Sequence, residues 1–499
     1  MRFISSISLL LLPLISICQE VVFNEKIRLE YEIEDVRETY TIIDSINNRI
    51  VFFLIDNNKI NGYLLDNQFK ILAKIIVPKD KEFKYIIGHT IKDDAYNLFF
   101  TDKKTKKINV ASINFIENKG INNELEFELK KERVLEKFSI NNKFYILTVK
   151  TLSKKLLLYI FDNNNFFSKK EIDLSIYKFN VNDDNLSLLL TTTDGKTNFA
   201  SNLLKMDPYC PNSLEITINT NKLYYSNNKL ILTIDNPKGT NLITIELKDY
   251  SYTLKNIPKG KTNSCNSNNT SSNTFLYNST YLFQILGCKD EMYFSVYNIQ
   301  SDTIVYEYRV KENENLAINN SQVLQKKNFS FLSKEKFKQL ENTNQILKKI
   351  SEYGYSITAF QTDSNLTISY GTGKSNSSNH PETYRPSNKI EASMQWSMAK
   401  PNNQSVVEAS FNPTIFNYNS FKEAKDGNVY FKSLFDAEKL THVEGEIPIN
   451  AYDQLIEYSC NIKDPISIET VFKKDNSYFF GYYHLNEYVY YLVKFDENK

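Results

Sequence analysis

Ile50-Val51-Phe52-Phe53-Leu54-Ile55-Asp56, then Asn57-Asn58-Lys59, then Ile60 to Asp66, then Phe69 to Val77: this stretch decides the fold class. Short apolar runs rich in Ile, Phe, Leu and Val are separated by turns of Asn, Asp and Lys, the pattern of strands joined by tight connections. The runs are continuous apolar blocks instead of alternating ones, which suits a sheet covered on both faces. The unit recurs. A second reads Tyr96 to Asp102, Ile108 to Phe115, Glu124 to Leu129, and a third reads Phe144 to Lys150, Leu156 to Asp162, closed by Asn163-Asn164-Asn165. Further units open at Leu186, Leu230 and Tyr281, so the openings at 50, 96, 144, 186, 230 and 281 are spaced by 46, 48, 42, 44 and 51 residues. Helical repeats of that length would place apolar residues three and four apart instead. The aspartates that end the runs (Asp56, Asp66, Asp102, Asp162, Asp235) read as turn formers.

A period of 40 to 50 residues with several short strands in each resembles the β-propeller superfamily over about residues 40 to 310. The chain carries no Gly-His or Trp-Asp blade signature and no kelch-type double glycine, so no subfamily is named and no functional residue is carried over. The resemblance implies a mainly β fold: a ring of six to eight four-stranded blades with a C-terminal α+β elaboration. The expected organisation is a signal peptide at 1–18, blades over 19–312, an inserted or appended α+β subdomain at 313–475, and closing strands at 476–499. The strand Val21 to Ile33 is expected to help close the ring, because an open ring leaves unpaired edges.

Met1-Arg2 places a positive charge before the apolar run Ile4 to Ile17, which is too short for a membrane span and reads as a signal-peptide core. Ser16-Ile17-Cys18 puts small residues where a signal peptidase inspects, with cleavage before Gln19. Ser-Ile-Cys-Gln resembles the export signals of Bacteroidota-type bacteria. Lipid anchoring at Cys18 is the alternative, disfavoured by Ile17. The expected location is therefore periplasmic, outer-membrane-associated or extracellular. No later stretch is long and apolar enough to span a bilayer, and a net charge of +1 without basic or acidic blocks argues against nucleic acid or an anionic membrane as partner.

Cys210, Cys265, Cys288 and Cys460 remain after signal removal, and four cysteines allow three pairings. Cys265 and Cys288 flank an Asn/Ser-rich loop and form the expected bridge, leaving Cys210 and Cys460 free or paired with each other. No Cys-x-x-Cys occurs, and His89, His380, His442 and His484 show no zinc spacing, so no metal or other cofactor is expected.

After residue 312 the rhythm breaks. Ser333 to Tyr353 reads as a helix, capped by Ser333 and stopped by Gly354, with an apolar face of Phe337, Leu340, Leu347 and Ile350 for packing on the protein's own sheet. Strands are expected at Ser356–Phe360, Leu366–Tyr370, Ile390–Met398 and Val406–Phe411, a helix at Asn450–Cys460, and blade-like runs at Ile466–Lys473, Ser477–Tyr483 and Tyr488–Phe495. The polar loop Lys374 to Pro386, with Lys374, Tyr384 and Arg385, is the candidate interaction surface. Trp396 shares a strand face with Met394 and Met398 and reads as core.

No G-x-S-x-G, H-E-x-x-H, P-loop or G-x-G-x-x-G occurs, and His442-Val443-Glu444-Gly445-Glu446 reads as an exposed turn. No catalytic residue is singled out, and the balance is against an enzyme. Two functions remain: a non-catalytic exported scaffold or binding module of the bacterial envelope that contacts another exported or outer-membrane protein, or a glycan-active enzyme or carbohydrate-binding propeller. A cluster of Asp, Glu, Tyr and Arg facing the axial funnel would favour the second, and a plain funnel the first.

Overall fold

A computed structural model describes residues 19–29, 38–102, 107–162, 167–179, 185–193, 199–207, 210–266, 269–326, 337–373, 413–422 and 427–497. After β1 (Glu20–Lys26), the apolar blocks form successive meanders. The first blade is β2 (Glu38–Asp44), β3 (Arg49–Ile55), β4 (Lys59–Leu65) and β5 (Ile71–Pro78). The second is β6 (Phe83–Lys92), β7 (Ala95–Asp102), β8 (Ile108–Asn114) and β9 (Lys119–Leu125), and the third is β10 (Glu132–Ile140), β11 (Lys143–Lys150), β12 (Lys155–Phe161) and β13 (Phe167–Asp173). An insert follows: α1 (Leu186–Leu190), β14 (Thr191–Thr193), β15 (Phe199–Ser201), β16 (Leu204–Lys205) and α2 (Leu214–Thr217). The fourth blade is β17 (Asn221–Ser226), β18 (Lys229–Asn236), β19 (Gly239–Glu246) and β20 (Tyr252–Pro258); the fifth is β21 (Ser271–Tyr277), β22 (Tyr281–Gly287), β23 (Glu291–Asn298) and β24 (Thr303–Lys311).

The remaining elements are β25 (Val323–Lys326), β26 (Phe337–Leu340), α3 (Thr343–Ser351), β27 (Ser356–Thr362), β28 (Asn365–Gly371), α4 (Pro413–Lys422), β29 (Val429–Asp436), α5 (Ala451–Asn461), β30 (Ile466–Lys474), β31 (Ser477–His484) and β32 (Val489–Asp496). They build a sixth sheet in the order β26-β25-β29-β28-β27 and a seventh in the order β1-β32-β31-β30. The fold is thus a β-propeller, with seven blades among the described residues. The N-terminal strand β1 pairs with the C-terminal β32 from Glu20↔Lys494 to Lys26↔Val489, and β30 lies against β2, so the two ends of the chain close the ring.

The middle strands explain the continuous apolar blocks. In β3, β4, β7 and β12 nearly every residue is buried, because neighbouring blades cover both faces. Outer strands such as β13, five of whose seven residues are exposed, face water and are written in Lys, Glu and Ser. The core is a series of slabs between consecutive blades. Between the second and third, Phe99, Phe144 and Phe161 meet with ring centroids 4.6 to 5.6 Å apart. That slab needs a glycine: a Cβ at Gly88 on the inner strand β6 would stand 2.2 Å from the Phe144 ring.

Two expectations are corrected. Leu186 opens no blade; Leu186–Leu190 is the short helix α1, capped by Asn185, whose side chain accepts the Ser187 N–H. The run Leu-Ser-Leu-Leu-Leu is too short for its period to tell helix from strand, and the cap decides it. The helix expected over Ser333–Tyr353 is confined to α3. Asn342 caps it by accepting the Asn344 N–H, and ahead of the cap Phe337 and Leu340 lie on β26, paired with β25. Leu347 and Ile350 are fully buried on α3, Leu340 is buried on its strand, and Phe337 is exposed. Ser333, the strands at 390–398 and 406–411, and Trp396 lie outside the described residues.

Candidate functional site

The strands β2, β6, β10, β17, β21, β27 and β30 surround the axis, and the inward edges of all but β17, which β16 covers, leave N–H and C=O groups that need partners. Side chains of neighbouring blades supply them. Where the register of β6 shifts between Ile86 and Gly88, the Ile86 N–H donates to Glu38 Oε2 on β2 at 3.1 Å. One turn of the pleat further, the Tyr40 hydroxyl lies 2.9 Å from His89 Nδ1, the His89 N–H donates to Ser139 Oγ of β10 at 2.7 Å, and the Ser139 hydroxyl reaches the His89 carbonyl at 2.9 Å. Burial pushes the Glu38 carboxyl up to about 8 and pulls the His89 imidazole down to about 4, so both are neutral near pH 7. Tyr, His and Ser meet across three blades, with the serine bonded to the peptide group of His89 itself.

The insert between the third and fourth blades dominates the inner side of the ring. Strand β16 pairs in parallel with β17 on the blade's inner edge. Lys205 on β16 lies 3.1 Å from Glu136 of the third blade and donates to the Lys137 carbonyl at 3.3 Å; burial pulls its amine down to about 8. From there the chain runs past three more blades. Asn273 of β21 donates to the Ile218 carbonyl at 3.0 Å, Ser356 of β27 donates to the Leu214 carbonyl at 3.0 Å and meets Thr217 Oγ1 at 2.9 Å, and Asn212 accepts from Asn417 of α4 at 2.9 Å. At the far end Cys210 is buried in an apolar cluster with Tyr418 of α4, Tyr452 and Leu455 of α5, and Tyr478 and Phe480 of β31. Met206 thus bonds to the fourth blade, residues 212–217 bond to α4 and the sixth blade, Cys210 packs against the seventh, and the fifth holds Ile218 just beyond them.

A buried ionic cluster marks the seam between the fourth and fifth blades. Lys259 Nζ meets Asp235 Oδ2 at 2.6 Å with both side chains essentially excluded from water; Asp235 also accepts from Thr240 at 2.7 Å and from Ser272 of β21 at 3.1 Å. Lys222 of β17 is wholly buried, donates to Asn273 Oδ1 at 2.9 Å, and is pulled down to about 7 by burial.

Cys265 and Cys288 are bonded to each other; Cys210 and Cys460 are not joined by a disulfide, Cys210 being buried with Asn417 Nδ2 3.9 Å from its sulfur and Cys460 exposed. The bridge walls a polar cleft of about 270 Å³ lined by Ser264, Asn266, Asn269, Lys289, Asp290 and Ser351. His442 is a structural residue: its Nε2 lies 2.9 Å from Asn320 Oδ1 and its ring packs on Phe435. Lys374, Tyr384 and Arg385 fall outside the described residues. The inner-strand groups Glu38, Tyr40, His89, Glu136 and Lys222 were not singled out from the sequence. One signal pointed at the seams: Val77-Pro78-Lys79 and Ile257-Pro258-Lys259 repeat at the ends of two outer strands, and both lysines are buried. Among the described residues no group of three or more His, Cys, Asp or Glu gathers as a metal site, and no helix is long and apolar enough to cross a membrane.

No protein family matches this chain, and no curated protein matches it. Solved structures similar to it include an oligogalacturonate lyase in complex with manganese (TM-score 0.32, 8% identity, covering 93% of this chain and 91% of that one). Two others are the Dos1 propeller (0.23, 12%, 64% and 63%) and the dihydro-heme d1 dehydrogenase NirN in complex with DHE (0.26, 10%, 68% and 64%). Likeness this distant carries no argument about function.

Proposed function

We propose that this protein is a non-catalytic interaction scaffold, exported to the bacterial envelope, that binds another exported or outer-membrane protein. One observation carries the reading: the inner side of the ring is taken up by the protein's own insert and by side chains bonded to it or to a neighbouring blade. Glu136 faces Lys205, and Glu38 holds the Ile86 N–H. A propeller enzyme acting on glycans needs carboxylates there that are free to exchange protons with a substrate. The reading assigns the partner surface to the stretch around Lys374, Tyr384 and Arg385, on the long connection between β28 and α4.

The test is cross-linking in the native envelope followed by capture of the tagged full-length protein. Recovery of one exported protein in stoichiometric amount is expected, and its loss when residues 374–412 are replaced by a Gly/Ser linker. Release of oligosaccharide from envelope glycan by the purified protein would overturn the reading in favour of an enzyme.

A further inference from the structure

We propose that Lys222, Asp235 and Lys259 form a pH-sensitive latch that couples the seam between the fourth and fifth blades to the crossing segment 210–218. The latch stands on the cluster's geometry and is independent of which partner the scaffold binds. Two buried amines share one buried carboxylate. Asp235 is saturated: Lys259 and Ser272 occupy Oδ2 and Thr240 occupies Oδ1. Lys222 is left with the neutral amide of Asn273. The groups acting on it are Asn273 on β21, to which it donates, and the charges of Asp235 on β18 and Lys259 after β20; Thr240 on β19 and Ser272 on β21 bond Asp235 in turn.

An ammonium buried without an ion pair of its own is costly, so above about pH 7 the closed seam holds Lys222 as a neutral amine. Asn273 connects this amine to the crossing segment, because its Oδ1 accepts from Lys222 while its Nδ2 donates to the Ile218 carbonyl, next to α2. A proton on Lys222 sets it in competition with Lys259 and Ser272 for Asp235, which loosens the hold of β21 on β18 and of Asn273 on the segment.

The sign follows from linkage. When the seam opens, Lys222 regains water and its ordinary value of 10.5; in the closed seam burial pulls it to about 7. Opening therefore becomes easier as pH falls from 10.5 to about 7, by about tenfold per unit, and levels off below that.

The chain contains its own reporter pair: Cys210 is buried at the end of the crossing segment and Cys460 is exposed. Alkylation by iodoacetamide, with the Cys265–Cys288 bridge intact, gives a Cys210-to-Cys460 rate ratio in which the ordinary pH dependence of thiols largely cancels. In the native protein the ratio is expected to rise about tenfold per unit as the pH is lowered from 9 to 7. Lys222→Met should hold it flat. Lys259→Met should flatten it too, by leaving Asp235 to Lys222, and it serves if Lys222→Met fails to fold. A constant ratio in the native protein, or a slope that survives Lys222→Met and Lys259→Met, overturns the latch.

Discussion

The seam between the first and second blades and the seam between the fourth and fifth start from the same sequence device and end in opposite electrostatics. In each, a proline ends the outer strand and the next residue is a buried lysine, Lys79 or Lys259. Lys259 finds a carboxylate on the second strand of its blade, at 2.6 Å. Lys79 instead donates to the backbone carbonyls of Asn57 at 3.3 Å and Phe83 at 3.1 Å. Glu38 nearby holds a backbone N–H with one oxygen while its Oε1 has no hydrogen-bond partner. One seam has an acid to spare, the other a base, and burial shifts both surplus groups, Glu38 and Lys222, toward their neutral forms. A lysine's position is local information; its partner depends on which strands the ring brings together.

The comparison can be broken most severely at Asp235. Asp235→Ala strands Lys259 without an anion, and urea unfolding should report a loss of about 3–5 kcal/mol. The fourth–fifth seam also carries a longer linker, pinned by the Cys265–Cys288 bridge and by Glu291, which accepts the Asn263 and Ser264 N–H groups at 2.8 and 2.6 Å. Replacing both cysteines by alanine should destabilise by about 3 kcal/mol, read in the same assay. Lys79→Met removes two bonds to neutral carbonyls and no ion pair, so a smaller loss of about 1–3 kcal/mol is expected. An equal loss at Lys79 and Asp235 would erase the distinction between the seams.

Glu38 gives a titration that sharpens it. Its folded value of about 8 lies above the ordinary 4.5, so the folded state holds a proton the unfolded state gives up. That contribution is fully present below pH 4.5 and is lost as pH rises towards 8, with a slope of at most about 1.4 kcal/mol per unit. Unfolding free energies for Glu38→Gln and the native protein between pH 5 and 8 should diverge in that sense, the variant gaining with pH. Parallel curves would mean that Glu38 is ionised in the fold. The smallest effect belongs to the exposed pair Lys74–Glu25, 2.7 Å apart across the closing strand β1, where Lys74→Ala should cost under about 1 kcal/mol and less in high salt.

Much of the ring was legible because blade strands are local: a run of seven apolar residues, a turn and a second run is nearly a hairpin already. The starts at 50, 96, 144, 230 and 281 each fall within or at the edge of the second strand of a blade. The start at 186 misled, because a five-residue apolar run carries no readable period and Asn185 caps it as a helix. The sixth blade was harder to read, since β25 joins its sheet from before α3 and pairs with β29 about a hundred residues later.

By itself the sequence determined the class of fold, the repeat and its approximate period, the turn aspartates, and the cysteine pair that the structure joins. These rest on neighbours in the chain, where burial on both faces selects continuous Ile, Phe and Leu and tight turns select Asn and Asp. Tertiary structure alone decided that the described residues form seven blades, that the stretch 210–218 of the insert after the third reaches the fifth, sixth and seventh, and that Lys222 and Glu38 are buried with neutral hydrogen-bond partners. Those outcomes depend on groups about 50 to more than 200 residues apart meeting in a medium too poor in water to hold a charge alone, as Lys222 meets Asn273 and Asn417 meets Asn212.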